Sequence, residues 1–247
     1  MRMVLPLAQT TRDKVRELLK NETISLLKPG NYKLGKHKKK QKHKTIWHFD
    51  LPSIYTCMYS DECIKECYAC EKSFNHHANR YALNQEISEY DYFLEEILEE
   101  IVRNDIAILR LHVSGDFFSV YYCHVWLAIF LRCPNVKFYF YTRSWQDEEM
   151  RSVFEAMAAL PNVHVWYSVD RSMPRPKLGH KRIRTAYLLA RDEKEPGYKT
   201  NLIFRVNDKE PAKRINGSLV CPYEQGIKRK VKITCNKCKI CFEKDKR

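Results

Sequence analysis

Ile106-Ala-Ile-Leu-Arg-Leu-His-Val-Ser-Gly-Asp116 opens as an apolar strand and ends in polar chemistry. The run is too short for a stable helix and is bounded by Gly115, so it reads as a buried strand. Upstream, Leu83, Ile87, Tyr90, Leu94, Ile97 and Ile101 recur at steps of three and four and predict one long amphipathic helix. Its other face carries Glu86, Glu89, Glu95, Glu96, Glu99 and Glu100. Downstream, Tyr121–Leu131 reads as a helix, Val136–Tyr141 as a strand and Glu148–Leu160 as a helix. Val163–Val169 continues as a strand, Arg182–Ala190 as a helix and Leu202–Val206 as a strand, with Leu219-Val220 a short further one. Strands alternating with helices at this spacing build βαβ units on a parallel sheet. The expected fold class is therefore α/β, a partial or open (βα) barrel of five or six units.

The first strand lies farther upstream, at Ile46–Leu51, where Ile46, His48 and Asp50 face one way and Trp47, Phe49 and Leu51 the other. Every body strand then ends alike. His48 and Asp50 close the first; His112, Ser114, Gly115 and Asp116 the second; Thr142 and Arg143 the third. Ser168 and Asp170 close the fourth, and Arg205 and Asn207 the fifth. In parallel α/β folds ligands bind at the carboxyl ends of the strands, so these polar ends predict one shared site.

Directly after the first strand comes Tyr55-Thr-Cys-Met-Tyr-Ser-Asp-Glu-Cys-Ile-Lys-Glu-Cys-Tyr-Ala-Cys70. Cys63, Cys67 and Cys70 have C-x3-C-x2-C spacing, and Cys57 stands six residues before Cys63. Thiolates this close in sequence can converge on one soft metal centre, and three ligands leave one position open for chemistry. Either Cys63, Cys67 and Cys70 or Cys57, Cys63 and Cys67 can supply the three. A second set, Cys221 with Cys235, Cys238 and Cys241, offers four thiolates, a closed complement for zinc or for a second iron–sulfur cluster. Cys123 and Cys133 sit in or beside an apolar helix and read as core. His76 and His77 follow the first set and read as loop residues rather than ligands.

The chain divides into a basic N-terminal extension at 1–44, a (βα) body at 45–220 and a cysteine-rich metal-binding segment at 221–247. Its 247 residues carry a formal net charge of +14, which favours polyanionic partners, nucleic acid or a nucleotide above all. Lys33–Lys44 holds seven lysines and no acid, and Arg171, Arg175, Lys177, Lys181, Arg182 and Arg184 form a second basic stretch. Each is either a solvated face or a phosphate contact. Trp145, Trp166 and Tyr167 either pack or stack on a base, packing being the commoner role. No signal peptide or membrane-length apolar run is visible, which predicts a cytoplasmic protein whose thiols stay reduced.

The cysteine triad after strand one resembles the radical S-adenosylmethionine enzymes. That resemblance implies a [4Fe–4S] cluster on Cys63, Cys67 and Cys70 with S-adenosylmethionine on the open iron. It also implies that Ser114-Gly115-Asp116 contacts the cofactor's amino group. Asp116, Asp170, Arg143 and Ser168 are then the candidate catalytic or substrate-positioning residues. Over most of the chain the sequence also resembles the phage "gene product 88" family. The carrying segments are Lys44–Cys57, Cys67-Tyr-Ala69, Val113-Ser-Gly-Asp-Phe-Phe118, Tyr141-Thr-Arg-Ser-Trp145 and the closing cysteines. A phage origin, and expression in a bacterial host's cytoplasm, points to modification of a DNA base. Two other readings stand beside this one. One is a zinc-stabilised base-exchange enzyme, resembling tRNA-guanine transglycosylases in architecture alone, with Asp116 or Asp170 as nucleophile. The other is a non-enzymatic zinc protein that binds nucleic acid.

Overall fold

The computed structural model describes residues 9–21, 24–36, 44–67, 69, 78–205, 213–225 and 233–243. Cys70, His76, His77, residues 37–43 of the lysine run, Val206 and Asn207 lie outside them. In chain order the helices are α1 (Gln9–Lys20), α2 (Asp61–Lys65), α3 (Ala78–Ile87), α4 (Phe93–Arg103), α5 (Val120–Arg132), α6 (Glu148–Ala159), α7 (Pro222–Gln225) and α8 (Cys235–Cys238). The strands are β1 (Lys28–Pro29), β2 (Ile46–Phe49), β3 (Ile108–Leu111), β4 (Lys137–Thr142), β5 (Val163–Val169), β6 (Arg184–Leu189), β7 (Leu202–Arg205), β8 (Arg214–Ile215) and β9 (Ser218–Val220).

All nine strands form one sheet in the order β1-β2-β3-β4-β5-β6-β7-β9-β8. From β2 through β7 to β9 every neighbour is parallel, and only the two edge pairs, β1 with β2 and β8 with β9, are antiparallel. The edges do not meet, so the sheet is open. From β2 to β7 the strands follow one another in chain order. That brings the carboxyl ends of these parallel strands to one rim.

Helix starts are written locally. Ser119 caps α5 by accepting from the Tyr122 N–H at 3.2 Å, and Asp147 caps α6 by accepting from Met150 at 2.9 Å, with Glu148 and Glu149 in its first turn. One face of the sheet is covered by α4, α5 and α6. Phe49, Leu109, Leu111, Phe138, Phe140, Val165, Tyr167 and Val169 point into that core beside Phe93, Trp126 and Phe154. Against the other face lie Leu34 and the C-terminal segment, through Cys221, Tyr223 and Phe242 on Ile46, Tyr139, Trp166, Ala186 and Leu202.

Two expectations need correcting. Arg182–Ala190 is not a helix; Arg184–Leu189 is a central strand, paired in parallel with β5 and β7. Both its faces are buried, Tyr187 and Leu189 in the helix-side core and Ala186 in the opposite one, which erases the period-two signal that an open face would leave. The single helix expected over Leu83–Ile101 is two, α3 and α4, broken at residues 88–92, where the Tyr90 and Tyr92 rings pack 5.3 Å apart. Ile87, Tyr90, Phe93, Ile97 and Ile101 still share one core, so the period survives the break. Glu100, on the acidic face of α4, is 2% exposed. Its carboxylate accepts from the N–H groups of Leu26 (2.6 Å) and Leu27 (3.1 Å) and from the Ser25 hydroxyl (2.7 Å), pinning the segment that leads into β1.

Candidate active site at the strand ends

Four consecutive strands deliver charged groups to the rim. Asp50 follows β2, Asp116 follows β3, Arg143 follows β4 and Asp170 follows β5, and all four are buried. They are linked by chains of hydrogen bonds that also grip the cysteine loop.

Asp50 has no exposure. Its Oδ1 accepts from the N–H of Val113 at 2.8 Å and of Ser114 at 3.4 Å, while Oδ2 lies 2.6 Å from His48 Nδ1 and 3.3 Å from Arg80 Nη2. Burial alone would raise its pKa, but His48, Arg80 and the Val113 N–H overcome that and hold the carboxyl at about 2. Two polar atoms around Asp50, Ser114 Oγ and Arg80 Nη1, are buried with no hydrogen-bond partner among the described residues. Such atoms in a native protein call for a ligand or water.

Asp116 behaves oppositely. Burial pushes its pKa up to about 6, against hydrogen bonds from the Arg143 and Phe117 N–H groups and the Thr142 side chain. Oδ2 accepts from Arg143 N at 2.7 Å, tying the end of β3 to that of β4, and Oδ1 accepts from the adjacent Phe117 N at 2.8 Å, so both oxygens are occupied. Gly115 has φ +81, and an added Cβ would lie 2.5 Å from Leu51 Cβ and 2.8 Å from Thr56 Oγ1. Its missing side chain thus lets the cysteine loop close on β3.

Arg143 is the hub. Its Nη1 donates to Asp170 Oδ2 at 2.6 Å and to Ser60 Oγ at 3.2 Å, and its charge and hydrogen bond reach the Cys63 thiol. Asp170 also accepts from the Ser60 hydroxyl, from Ser172 N at 2.9 Å and from Ser172 Oγ at 2.6 Å. Burial works against ionisation of Asp170, but the serines and Arg143 hold its pKa below the usual carboxylate range. Ser60 in turn caps α2 by accepting from the Cys63 N–H at 3.1 Å. One serine therefore couples the strand ends to the helix that presents Cys63.

Cys57, Cys63 and Cys67 are half-buried and form no disulfide. Burial pushes Cys57 up to about 12, with the charges of Asp116, Cys63 and Cys67 adding to the rise. The same loop holds Ile54 in the left-handed region at φ +70, a strained place for a β-branched residue. It also exposes Tyr55, Met58, Tyr59 and Ile64. Ser168 stays inside β5, half-buried, with its carbonyl accepting from Trp145 Nε1 at 2.9 Å. Trp145 and Tyr167 stack on each other in the helix-side core at 5.7 Å, and Trp166 is buried against the other face. Cys123 is core and Cys133 packs at its edge.

The other cysteines lie elsewhere. Cys221, Cys235, Cys238 and Cys241 line one small cavity on the second sheet face, with Leu202, Tyr223 and Phe242. Among the described residues, no group of three or more Cys, His, Asp or Glu side chains is placed, as it stands, to hold a metal ion. Several residues of the two basic stretches are occupied internally. Lys33 pairs with Glu224 at 3.6 Å and lies over the Phe204 and Tyr223 rings. Arg171 pairs with Glu62 and Asp192, and Arg184 donates to the carbonyls of Ile240 and Cys241.

Sequence reading missed Ser60, Arg80 and the exposed Tyr55 and Tyr59. Ser60 was findable as a serine three residues before Cys63 at a helix start; Arg80 left no local signal. Among the described residues, no helix is long and apolar enough to cross a membrane.

An open, mostly parallel sheet makes this an α/β protein, and the charged, cysteine-bearing rim at its strand ends is its candidate site. The chain belongs to the gene product 88 family, which it matches over residues 25–244. No curated protein and no solved structure matches it.

Proposed function

We propose that the protein is an iron–sulfur enzyme of the radical S-adenosylmethionine type, acting on a base in nucleic acid or a nucleotide. The observation that carries the reading is the meeting of a cysteine loop after the first parallel strand with polar groups from the next three at one rim. The donor set fits the cluster in kind, soft thiols close together on one loop; burial raises the Cys57 and Cys63 pKa values, so binding must displace those protons. Cys63 and Cys67 hold it together with Cys57 or Cys70. When bound, cluster and S-adenosylmethionine supply one-electron chemistry that yields an organic radical.

The chain's own residues do the rest. Ser114 Oγ and Arg80 Nη1, both without partners among the described residues and both beside Asp50, are the groups available to bind the cofactor's polar end. Arg143 and Ser60 orient Cys63. Tyr55 and Tyr59, exposed on the loop, offer faces for base stacking, and the net charge of +14 draws in the phosphates. The carboxylate-nucleophile alternative fares worse, since Asp116 and Asp170 have their oxygens held by hydrogen-bond donors.

Metal and sulfide content after anaerobic purification tests this. About four irons with matching sulfide are expected, or more if a second cluster is present. They should be lost in Cys67→Ala without change in the far-ultraviolet circular dichroism. Full iron in that variant, or zinc alone in the parent after attempted reconstitution, overturns the assignment.

A further inference from the structure

The C-terminal thiols have surroundings of a different kind. Cys235 and Cys238 sit one turn apart on α8, and Lys239 then takes the left-handed conformation at φ +63. That turn sends the chain back so that Cys241 faces the same cavity, and Cys221 reaches it from the end of β9. A non-glycine residue in this region costs conformational energy, so something must hold the turn. The cavity measures about 10 Å³, room for one water-sized body and far too little for a cluster of irons and sulfides. All four cysteines are free of disulfides.

The backbone around the cavity is anchored on every side. Cys235 N donates to Lys33 O at 3.0 Å and Asn236 N to Leu34 O at 3.1 Å. Trp166 Nε1 and Arg184 Nη2 each donate to Cys241 O at 3.0 Å, and the Tyr141 hydroxyl donates to Cys241 Sγ at 2.7 Å. A phenol pointed at a buried sulfur suits a thiolate far better than a thiol, because the sulfur then carries the charge. Burial raises the pKa of the Cys241 thiol to about 11 and that of the Cys221 thiol to about 12, and the charges of Arg110 and Lys33 work against that rise.

We propose that Cys221, Cys235, Cys238 and Cys241 hold a single zinc ion in a closed structural site, separate from the iron–sulfur chemistry proposed at the rim. Each thiol gives up its proton on binding, so four thiolates and one divalent ion leave a net charge of −2 beside Arg110 and Lys33. As neutral thiols the four groups line the cavity without closing on it. Cys235 and Cys238 are half-buried and lie on a single helical turn, so closing on an ion requires their side chains to rotate toward the cavity. The ion then ties the C-terminal segment and Lys33–Leu34 to the second face of the sheet. Four sulfurs fill a tetrahedral shell and leave no position for substrate, which makes the site architectural.

The test uses the full chain carrying Cys63→Ala and Cys67→Ala, so that the rim loop cannot hold iron. Elemental analysis should give about one zinc per chain. Exchange for cobalt(II) should give the intense visible absorption of a tetrahedral thiolate site, and adding Cys238→Ser should abolish it. The same zinc should appear as a mass increment on the parent chain by native mass spectrometry, so the test stands even if the variants fold poorly. Iron and sulfide retained in the double variant overturn the proposal, as does a folded, metal-free parent that takes up no cobalt. Loss of iron with zinc kept bears on the rim alone.

Discussion

The two cysteine sets use the same ligand atoms in opposite settings. At the rim, Cys57, Cys63 and Cys67 stand half-buried among Asp116, Arg143 and Asp170, on a strained loop that exposes tyrosines. On the sheet face, Cys221 and Cys241 are walled by Tyr141, Trp166 and Tyr223, and their segment is fastened by backbone hydrogen bonds. Sulfur ligands alone do not distinguish a reactive centre from a structural one; access and charge do. The rim has buried polar atoms, Ser114 Oγ and Arg80 Nη1, with no partner among the described residues. The face has a one-atom cavity and a covered wall.

Replacement of one cysteine on each side is the strongest way to break this contrast. Cys241→Ala removes a ligand of the proposed zinc site and the partner of Tyr141, and with that site filled should lower stability by about 5 kcal/mol or more. Cys67→Ala should change it by no more than about 1 kcal/mol. Denaturant unfolding of both variants decides the matter, and a reversed order would show that the rim loop, not the C-terminal segment, carries the fold.

Asp50→Ala sharpens the rim's side. It strips a fully buried carboxylate from His48, Arg80 and two N–H groups and leaves those donors stranded. A loss of about 3–5 kcal/mol is expected on unfolding. A loss below about 1 kcal/mol would mean that water already serves these donors and that the network is not the joint between β2 and β3.

Much of this was legible in the residues. Five strands and the polar ends of β2 to β5 follow from apolar runs closed by Asp50, Asp116, Arg143 and Asp170, because a parallel sheet gathers such ends whatever its details. β6 was not legible. Arg184-Thr-Ala-Tyr-Leu-Leu189 is covered on its second face by a segment some fifty residues downstream, and no local window holds that information. The rim was readable as a set of residues but not as a network. Nothing in Asp116 announces that its oxygens serve the N–H groups of Phe117 and Arg143, nor in Glu100 that it is buried to hold Leu26 and Leu27. Those roles depend on where other strands end.

The smallest expected effect separates the two buried carboxylates by sign. Asp50 is held at about 2, below the ordinary 3.8. Its stabilisation is complete above the unfolded pKa and fades as pH falls from about 4 through about 2. Asp116 is raised to about 6, so the folded state binds its proton more tightly than the unfolded chain does. Its contribution is complete below about 4 and is lost as pH climbs through about 6. Each limb amounts to about 2–3 kcal/mol by linkage. Asp50→Asn should therefore flatten the stability curve on the acid side of pH 4, and Asp116→Asn should flatten it between about 4 and about 6. Denaturant unfolding of parent and variants across this range measures both, and the difference curves remove the other titrating groups. If the Asp116 limb were absent, its hydrogen bonds from Arg143, Phe117 and Thr142 would have to outweigh burial. The carboxylate would then be ionised from about pH 4 upward, placing its negative charge beside Cys57 across the whole range rather than only above about pH 6.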